Sequence, residues 1–175
     1  FAFQTAQGYH HTHDFWGYCK RLAVFALVSE IPFNLMISGS PRFINHQNVM
    51  LTLLLGLLAC RAWDQRKWWQ VALLFLAGVV TFPDYGVLGV LTVLMFHVLR
   101  DWKRAQFLML IAINWFGFEG QQIVFGGFKM PIQGFAILAF LPIALYNGEK
   151  GKGGRWLQYG SYLFYPLHML ILGLL

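Results

Sequence analysis

Charged side chains are scarce in this chain. Asp, Glu, Lys and Arg make up 11% of its 175 residues, against about 25% in soluble domains. Hydrophobic residues reach 58%, and the mean hydropathy is +0.54. This composition excludes an ordinary soluble domain. It predicts one domain, residues 1–175, embedded in a lipid bilayer.

Several familiar sequence signals are also missing. The two cysteines, Cys19 and Cys60, lie far apart without CxxC spacing, so neither a disulfide nor a zinc site is predicted. No GxSxG, HExxH or Ser/His/Asp arrangement occurs in a recognisable order. No signal peptide is predicted. The sequence begins with Phe1 rather than Met, so we expect one or more N-terminal spans to precede it.

Apolar runs recur along the chain between short charged connections. Several hold only about 13–16 residues, below the roughly 20 of an ordinary span, but aromatic and long basic flanks extend such runs by snorkelling. Continuous hydrophobicity favours helices, because a backbone in lipid must satisfy its own hydrogen bonds. We predict an all-α polytopic transmembrane bundle of about seven spans. Its segments are the end of a truncated span at Phe1–Gly8 and the runs Leu22–Ile37, Asn48–Cys60, Trp68–Phe82, Tyr85–Leu99, Ala105–Phe118, Met130–Tyr146 and Leu157–Leu175.

The basic residues predict an orientation for this bundle. All but two of the 13 Lys and Arg fall in four alternate connections. Because Lys and Arg concentrate on the cytoplasmic side of membrane proteins, these connections are predicted to be cytoplasmic. Arg42 and Lys129 then lie outside. The net charge of +6 follows from topology, so no nucleic-acid partner is predicted.

Two titratable residues, Glu30 and His168, are predicted to lie inside the membrane. They follow the starts of their spans by roughly 13 Å and 16 Å at 1.5 Å per residue, near the middle of a hydrocarbon core about 30 Å thick. Both spans start from the same face, so the two side chains could meet at one depth. Pro32 and Pro166 lie beside them and each frees a backbone carbonyl. Intramembrane ionisable groups mark functional sites; a helix–helix hydrogen bond is the alternative for each.

Three other segments carry polar chemistry. Asp84 and Tyr85 form either a plain turn or an outer site for an amine. His97, near the inner end of its run, is interpreted as a structural interface residue. The segment His10–Asp14 has metal-ligand residue types but no matching second cluster, so it is interpreted as a solvated loop, and no metal is predicted.

A glycine-rich cytoplasmic loop follows the Met130–Tyr146 run. Residues 146–155 hold four glycines and three cations, which suit close approach to phosphates. The loop lacks the GxxxxGK[ST] order, so it is no Walker A loop. On composition alone, the loop is better interpreted as a basic cytoplasmic connection that orients the protein in the membrane than as a ligand site.

Five spaced segments resemble one family. Ser29-Glu30-Ile31-Pro32-Phe33-Asn34, Asp84-Tyr85-Gly86, Tyr146-Asn147-Gly148 and Phe164-Tyr165-Pro166-Leu167-His168 follow Phe1–Thr12 in the order typical of the TraX family. That family is named for a conjugation protein that acetylates the N-terminus of pilin. The resemblance implies a multi-pass acyltransferase of the bacterial inner membrane, with acetyl-CoA as co-substrate and an amine or hydroxyl acceptor.

A physical interpretation consistent with the resemblance gives roles to individual residues. His168, assisted by Glu30, would take the proton of the acceptor, and Tyr165, Tyr146 or Asn147 would donate to the oxyanion. Acceptor binding is assigned to Asp84, Tyr85 and Tyr165. CoA binding is assigned to Arg21, Tyr146, Asn147, Gly148, Lys150, Lys152 and Arg155. The family's N-terminal Asp-His pair has no counterpart in this sequence. His168 is therefore either the general base itself or a residue that assists a base outside this sequence. A proton-coupled transporter and a non-catalytic scaffold of a conjugation or secretion complex are the alternatives.

Overall fold

A computed structural model describes residues 1–39, 47–81, 84–117, 122–125, 128–149 and 155–174 of the chain. Over these residues it contains eight α-helices, one short hairpin and one 3₁₀-helix. The helices are α1 (Ala2–His11), α2 (Phe15–Ser38), α3 (Val49–Asp64), α4 (Trp68–Val80), α5 (Gly86–Val98), α6 (Lys103–Phe116), α7 (Phe140–Leu145) and α8 (Arg155–Leu174). This architecture agrees with the predicted helical bundle.

Side-chain caps explain where two helices begin. Asp14 accepts a hydrogen bond from the Gly17 amide at 2.8 Å and starts α2. Asn48 accepts one from the Met50 amide at 3.0 Å and starts α3. Such caps satisfy amides that have no partner inside the helix. Gly39 ends α2 in the left-handed region, with φ 63°, where glycine carries no steric penalty.

The core forms around α3, which packs against α1, α2, α4 and α5. Leu53, Leu57 and Val93 are among its buried residues. Glycine brings α3 close to α5: a Cβ added to Gly56 would lie 2.6 Å from the Cβ of Val93. Helix interfaces in membrane proteins use small residues in this way.

The exterior of the bundle is apolar. Leu27 is 76% exposed on α2, and large exposed apolar side chains continue along α4 and α8. Contiguous exposed apolar surface marks a binding face or a membrane. Among the described helices, α2 is long and apolar enough to cross a membrane by length and composition, and three shorter apolar helices cover 68–80, 86–98 and 132–145. A membrane location is therefore indicated, while seven spans and the loop orientation stay predictions.

The predicted span Met130–Tyr146 is wrong as a single α-helix. The strands β1 (Gln122–Phe125) and β2 (Phe128–Pro131) form an antiparallel hairpin. The first two residues of the predicted span, Met130 and Pro131, belong to β2. A 3₁₀-helix, Ile132–Ala139, follows, and only then does α7 begin. Pro131 and Pro142 explain part of the difference, because neither can donate the backbone hydrogen bond that a continuous α-helix needs.

Candidate functional site

A cavity of about 1020 Å³ runs beside α1. Its volume lies at the top of the range of roughly 300–1,000 Å³ that small-molecule sites occupy. Its wall is polar near the end of α1, where His11 and Tyr146 line it, and Arg21 of α2 is a further polar lining residue. Phe1 and Met50 are among the apolar residues that line it elsewhere. The cavity therefore suits a ligand with one polar and one apolar part.

A close contact between α1 and α2 shapes the middle of this cavity. A Cβ added to Gly8 would lie 2.7 Å from the Tyr18 hydroxyl, so the absence of a side chain there makes room for the phenol ring. The side chains of Thr5 on α1 and Tyr162 on α8 lie near the same hydroxyl. Tyr18 of α2 therefore lies close to both of these helices at the cavity wall.

Two buried polar atoms of the cavity wall have no hydrogen-bond partner. They are Oε1 of Gln7 and Nε of Arg21, and both residues line the cavity. Buried polar atoms in proteins are nearly always paired. Both atoms are enclosed by protein, so the wall of this cavity contains one unsatisfied acceptor and one unsatisfied donor.

The start of the glycine-rich loop closes one end of the cavity. The Tyr146 hydroxyl lies 3.4 Å from Nε2 of His11 and donates to the Glu149 carbonyl at 2.9 Å. Lys103 Nζ donates to the carbonyls of Ala144 and Tyr146 at 2.7 Å and 3.1 Å, which holds the chain at the end of α7. Gly148 has a φ of 82°, a left-handed conformation that favours glycine.

The predicted CoA-binding residues are thus brought together only in part. Arg21 and Tyr146 line the same cavity. Asn147 and Gly148 belong to the loop segment that continues from Tyr146. Lys150 and Lys152 lie outside the described residues, and Arg155 is described only as the first residue of α8.

Four titratable side chains, Tyr9, His10, Asp64 and His97, form what we call the His97 cluster. His97 is 8% exposed; its Nε2 lies 2.8 Å from Asp64 Oδ1, and its Nδ1 lies 3.1 Å from Nε2 of His10. The Tyr9 hydroxyl donates to Asp64 Oδ2 at 2.8 Å. Burial, reinforced by the neighbouring His97, lowers the pKa of His10. The cluster fastens the end of α1 to the ends of α3 and α5.

The solvated-loop interpretation of His10–Asp14 is therefore wrong for its first two residues. His10 and His11 form the last turn of α1, and only His13 and Asp14 are exposed beyond it. A helical signal was present, since Phe3 and Ala6 share the three-residue spacing of one helix face and pack together in the core. The structural interpretation of His97 agrees with its buried hydrogen bonds.

Four other polar residues, Glu30, Asn48, Asp84 and Tyr165, gather at the start of α3 as the Asn48 cluster. Asn48 Nδ2 donates to Glu30 Oε2 at 2.6 Å and to the Ala26 carbonyl at 2.7 Å. The Tyr165 hydroxyl accepts from the Val49 amide at 3.3 Å. The charges of Glu30 and Asp84 are near enough to act on that hydroxyl. Predicted catalytic and acceptor-binding residues thus meet here.

Asp84 and Tyr85 also make a tight turn. The Asp84 amide donates to the Gln47 carbonyl at 2.6 Å, and its carbonyl accepts from the Thr52 hydroxyl. Tyr85 has a φ of 66°, an uncommon conformation for a residue other than glycine. The turn fixes Asp84 within the Asn48 cluster and Tyr85 next to it, so the turn and the acceptor-site interpretations are compatible.

Glu30 and His168 lie at similar heights on neighbouring helices. The rings of Phe25 and Tyr162 stack at 5.0 Å, and a Cβ added to Gly173 would lie 2.9 Å from the Met36 amide. Both pairs have the same offset in sequence, so α2 and α8 run parallel and in register. His168 Nδ1 nevertheless pairs with the Phe164 carbonyl of its own helix at 2.9 Å. Among the described residues no hydrogen bond joins Glu30 to His168.

These features define a helical, membrane-associated protein with a polar cavity beside its first described helix. A family model described as TraX protein matches residues 1–175, so the chain belongs to the TraX family. It is 28% identical over 193 residues to the "Probable fimbrial assembly protein FimC, serogroup H1" of Dichelobacter nodosus, an alignment that covers 98% of this chain and 76% of that protein. No solved structure matches.

Proposed function

We propose that this protein is a membrane acyltransferase that moves an acyl group, most simply acetyl, from acyl-CoA to an amine or hydroxyl acceptor. The observation that carries the proposal is the cavity beside α1, which joins the polar side chains of Arg21 and Tyr146 to apolar walls. Acyl-CoA has matching chemistry, because it combines anionic phosphates with a long, mostly apolar arm.

The proposed orientation puts the donor on the cytoplasmic side. Under the positive-inside rule the end of the cavity near Arg21 faces the cytoplasm, where acyl-CoA is made. The cations of the loop after Glu149 would neutralise the CoA phosphates, and the acyl arm would run along α1 toward Phe1. A multi-pass arrangement in the inner membrane is part of this proposal.

The acceptor is proposed to bind at the other end of α3. Asp84 and Tyr85 would hold its polar group, and the carboxyl of Glu30 lies in the same cluster. The printed name of the FimC relative concerns fimbrial assembly, so a pilin-type subunit with a free N-terminal amine is the acceptor that we propose.

The reaction requires one proton transfer and one charge stabilisation. As the acceptor amine attacks the thioester carbonyl, His168 takes its proton, and the new C–N bond forms while the C–S bond breaks. The CoA thiolate leaves and gains a proton. The Tyr165 hydroxyl would donate to the oxyanion of the intermediate. Phe164 supports this assignment, since it lines the cavity and its ring stacks on His168 at 5.0 Å.

Labelled acetyl-CoA tests the proposal. Full-length protein in proteoliposomes should release CoA and label a pilin-type peptide. His168→Ala and Glu30→Gln should lower the rate at least about 100-fold, the scale of a lost general base, while His13→Ala, an exposed control, should not. Counterflow of a substrate without CoA release would indicate a transporter. Full biological function of both variants would indicate a scaffold.

A further inference from the structure

We propose that the outer face of α4 binds an anionic phospholipid, whose phosphate lies at the exposed cations Arg66 and Lys67. The apolar part of this face, which we call the α4 stripe, consists of four side chains that are each more than half exposed: Trp69, Leu73, Leu76 and Val80. Their spacing of four, three and four residues puts them on one side of the helix. The stripe is separate from the cavity beside α1, so the inference does not depend on the proposed activity.

The length of the stripe fits one leaflet of a bilayer. From Trp69 to Val80 the helix rises about 16 Å at 1.5 Å per residue, and half of a hydrocarbon core is about 15 Å. The opposite side of α4 is already occupied. Val71 is buried, and a Cβ added to Gly78 would lie 3.3 Å from Cα of Val87 on α5. The stripe therefore faces away from the bundle along its whole length.

The turn between α3 and α4 holds two cations at one end of the stripe. Arg66 and Lys67 are both exposed, and Arg66 has a φ of 56°. Its amide donates to the Trp63 carbonyl at 2.9 Å, which closes the turn. Asp64, the nearest acid in sequence, belongs to the His97 cluster, where both of its oxygens have partners. The turn thus presents positive charge beside the start of α4.

The order of chemical groups along this face matches that of a phospholipid. Two cations come first, then the indole of Trp69, then aliphatic side chains. A phosphate, ester oxygens and an acyl chain follow one another in the same order, and the indole N–H is a donor that suits the oxygens. Tryptophan concentrates at the level of the head groups in membrane proteins. A second copy related by a twofold axis along the membrane normal would instead bring its own Arg66 and Lys67 to the same end, where like charges repel.

Native mass spectrometry of the full-length protein in detergent tests the inference. The protein receives equal amounts of phosphatidylglycerol, which is anionic, and phosphatidylcholine, which has no net charge. Wild-type protein should retain phosphatidylglycerol in preference. Replacing both cations, Arg66→Gln with Lys67→Gln, should lower this preference by about 5–25-fold, since each basic residue near an anionic surface contributes roughly 5-fold. Trp69→Leu should weaken retention of both lipids equally, by about 2–10-fold, because its hydrogen bond does not depend on the head-group charge.

Lys20→Gln is the matched control for loss of charge. Lys20 is exposed on α2, whereas α4 packs against α3 and α5, so this variant should leave the lipid preference unchanged. Thermal unfolding of each variant excludes loss of fold. Raising ammonium acetate from about 0.1 M to about 1 M should reduce the wild-type preference, because the Debye length falls from about 10 Å to about 3 Å. The inference is overturned if wild-type protein retains both lipids equally, if Lys20→Gln acts as strongly as the double variant, if acetyl-CoA displaces the lipid, or if the protein forms a dimer that retains no lipid.

Discussion

Replacing Asn48 with alanine should destabilise the bundle more than any other single amide-to-methyl change in its described part. Asn48 is 1% exposed and joins the start of α3 to α2 by three hydrogen bonds. Its Oδ1 caps α3 at the Met50 amide, and its Nδ2 donates to Glu30 and to the Ala26 carbonyl of α2. Asn48→Ala removes all three contacts and leaves a carboxylate and a carbonyl without this donor.

The expected cost follows from the separate contacts. A lost N-cap costs about 1 kcal/mol, with a range of roughly 0.5–2. Interhelical hydrogen bonds in membrane proteins average about 0.6 kcal/mol and reach about 1.7. The Glu30 contact should lie at the upper end, because its acceptor is a carboxylate. We expect a decrease of about 2–4 kcal/mol in the free energy of unfolding.

Unfolding in a detergent titration measures this decrease, and a double-mutant cycle isolates the Glu30 contact. Asn48→Ala, Glu30→Ala and the double variant should give a coupling free energy of about 0.5–2 kcal/mol. Asn48→Asp keeps the capping oxygen but puts a second carboxyl against Glu30. It should be unstable at neutral pH and recover as acid protonates the pair. A change below about 0.5 kcal/mol for Asn48→Ala, or no coupling, refutes this reasoning.

Two further predictions concern α1 and the helix contacts. Burial lowers the pKa of His10 below its usual value of 6.5, so the His97 cluster contributes fully above pH 6.5 and loses stability as pH falls through the lowered pKa. His10→Gln should therefore unfold with a weaker acid dependence than wild-type protein, and equal pH profiles would contradict this. Gly56→Ala should cost about 1–3 kcal/mol by overpacking against Val93. Gly160→Ala, where a Cβ meets no neighbour within 4 Å, should be neutral or stabilising by up to about 1 kcal/mol; equal effects in chemical denaturation would refute the packing argument.

Hydropathy predicts helices well where a long apolar run is bounded by charged or turn-forming residues. The runs at 68–82 and 85–99 became α4 and α5 with small shifts at their ends. The prediction for α2 began too late, at Leu22, because it stopped at the basic pair Lys20 and Arg21. The helix in fact starts after Asp14, a capping residue visible in the sequence. Long basic side chains can extend from a helix to the membrane surface, so they do not end it.

The same criterion fails where proline and glycine interrupt an apolar run. The Met130–Tyr146 segment is apolar throughout most of its length, yet it divides into a strand, a 3₁₀-helix and a short α-helix. Hydropathy measures preference for an apolar environment and not the hydrogen-bonding pattern of the backbone. The prolines indicate that a continuous α-helix is unfavourable here, because proline has no backbone N–H to donate. Sequence alone still does not show which residues pair in the hairpin.

The relative height of two side chains was predictable, whereas the hydrogen-bond partner of each was not. The predicted spans put Glu30 and His168 at one height, and the parallel register of α2 and α8 agrees with that relative height. The hydrogen-bond partner of Glu30 is Asn48, which belongs to a third helix. In the sequence Asp64 lies between the basic residues Arg61 and Arg66, and only the fold brings Tyr9 and His97 to its two oxygens. Contacts between distant residues depend on packing geometry, which one sequence does not specify.

The two polar clusters lie at opposite ends of α3, and this separation bears on the proposed mechanism. Asn48 caps the start of α3 and Asp64 is its last residue, so the clusters are about 24 Å apart at 1.5 Å per residue. A hydrocarbon core is about 30 Å thick. Donor and acceptor sites at the two ends would therefore need a carrier that reaches most of the way across. A long pantetheine arm alongside α1 would supply that reach.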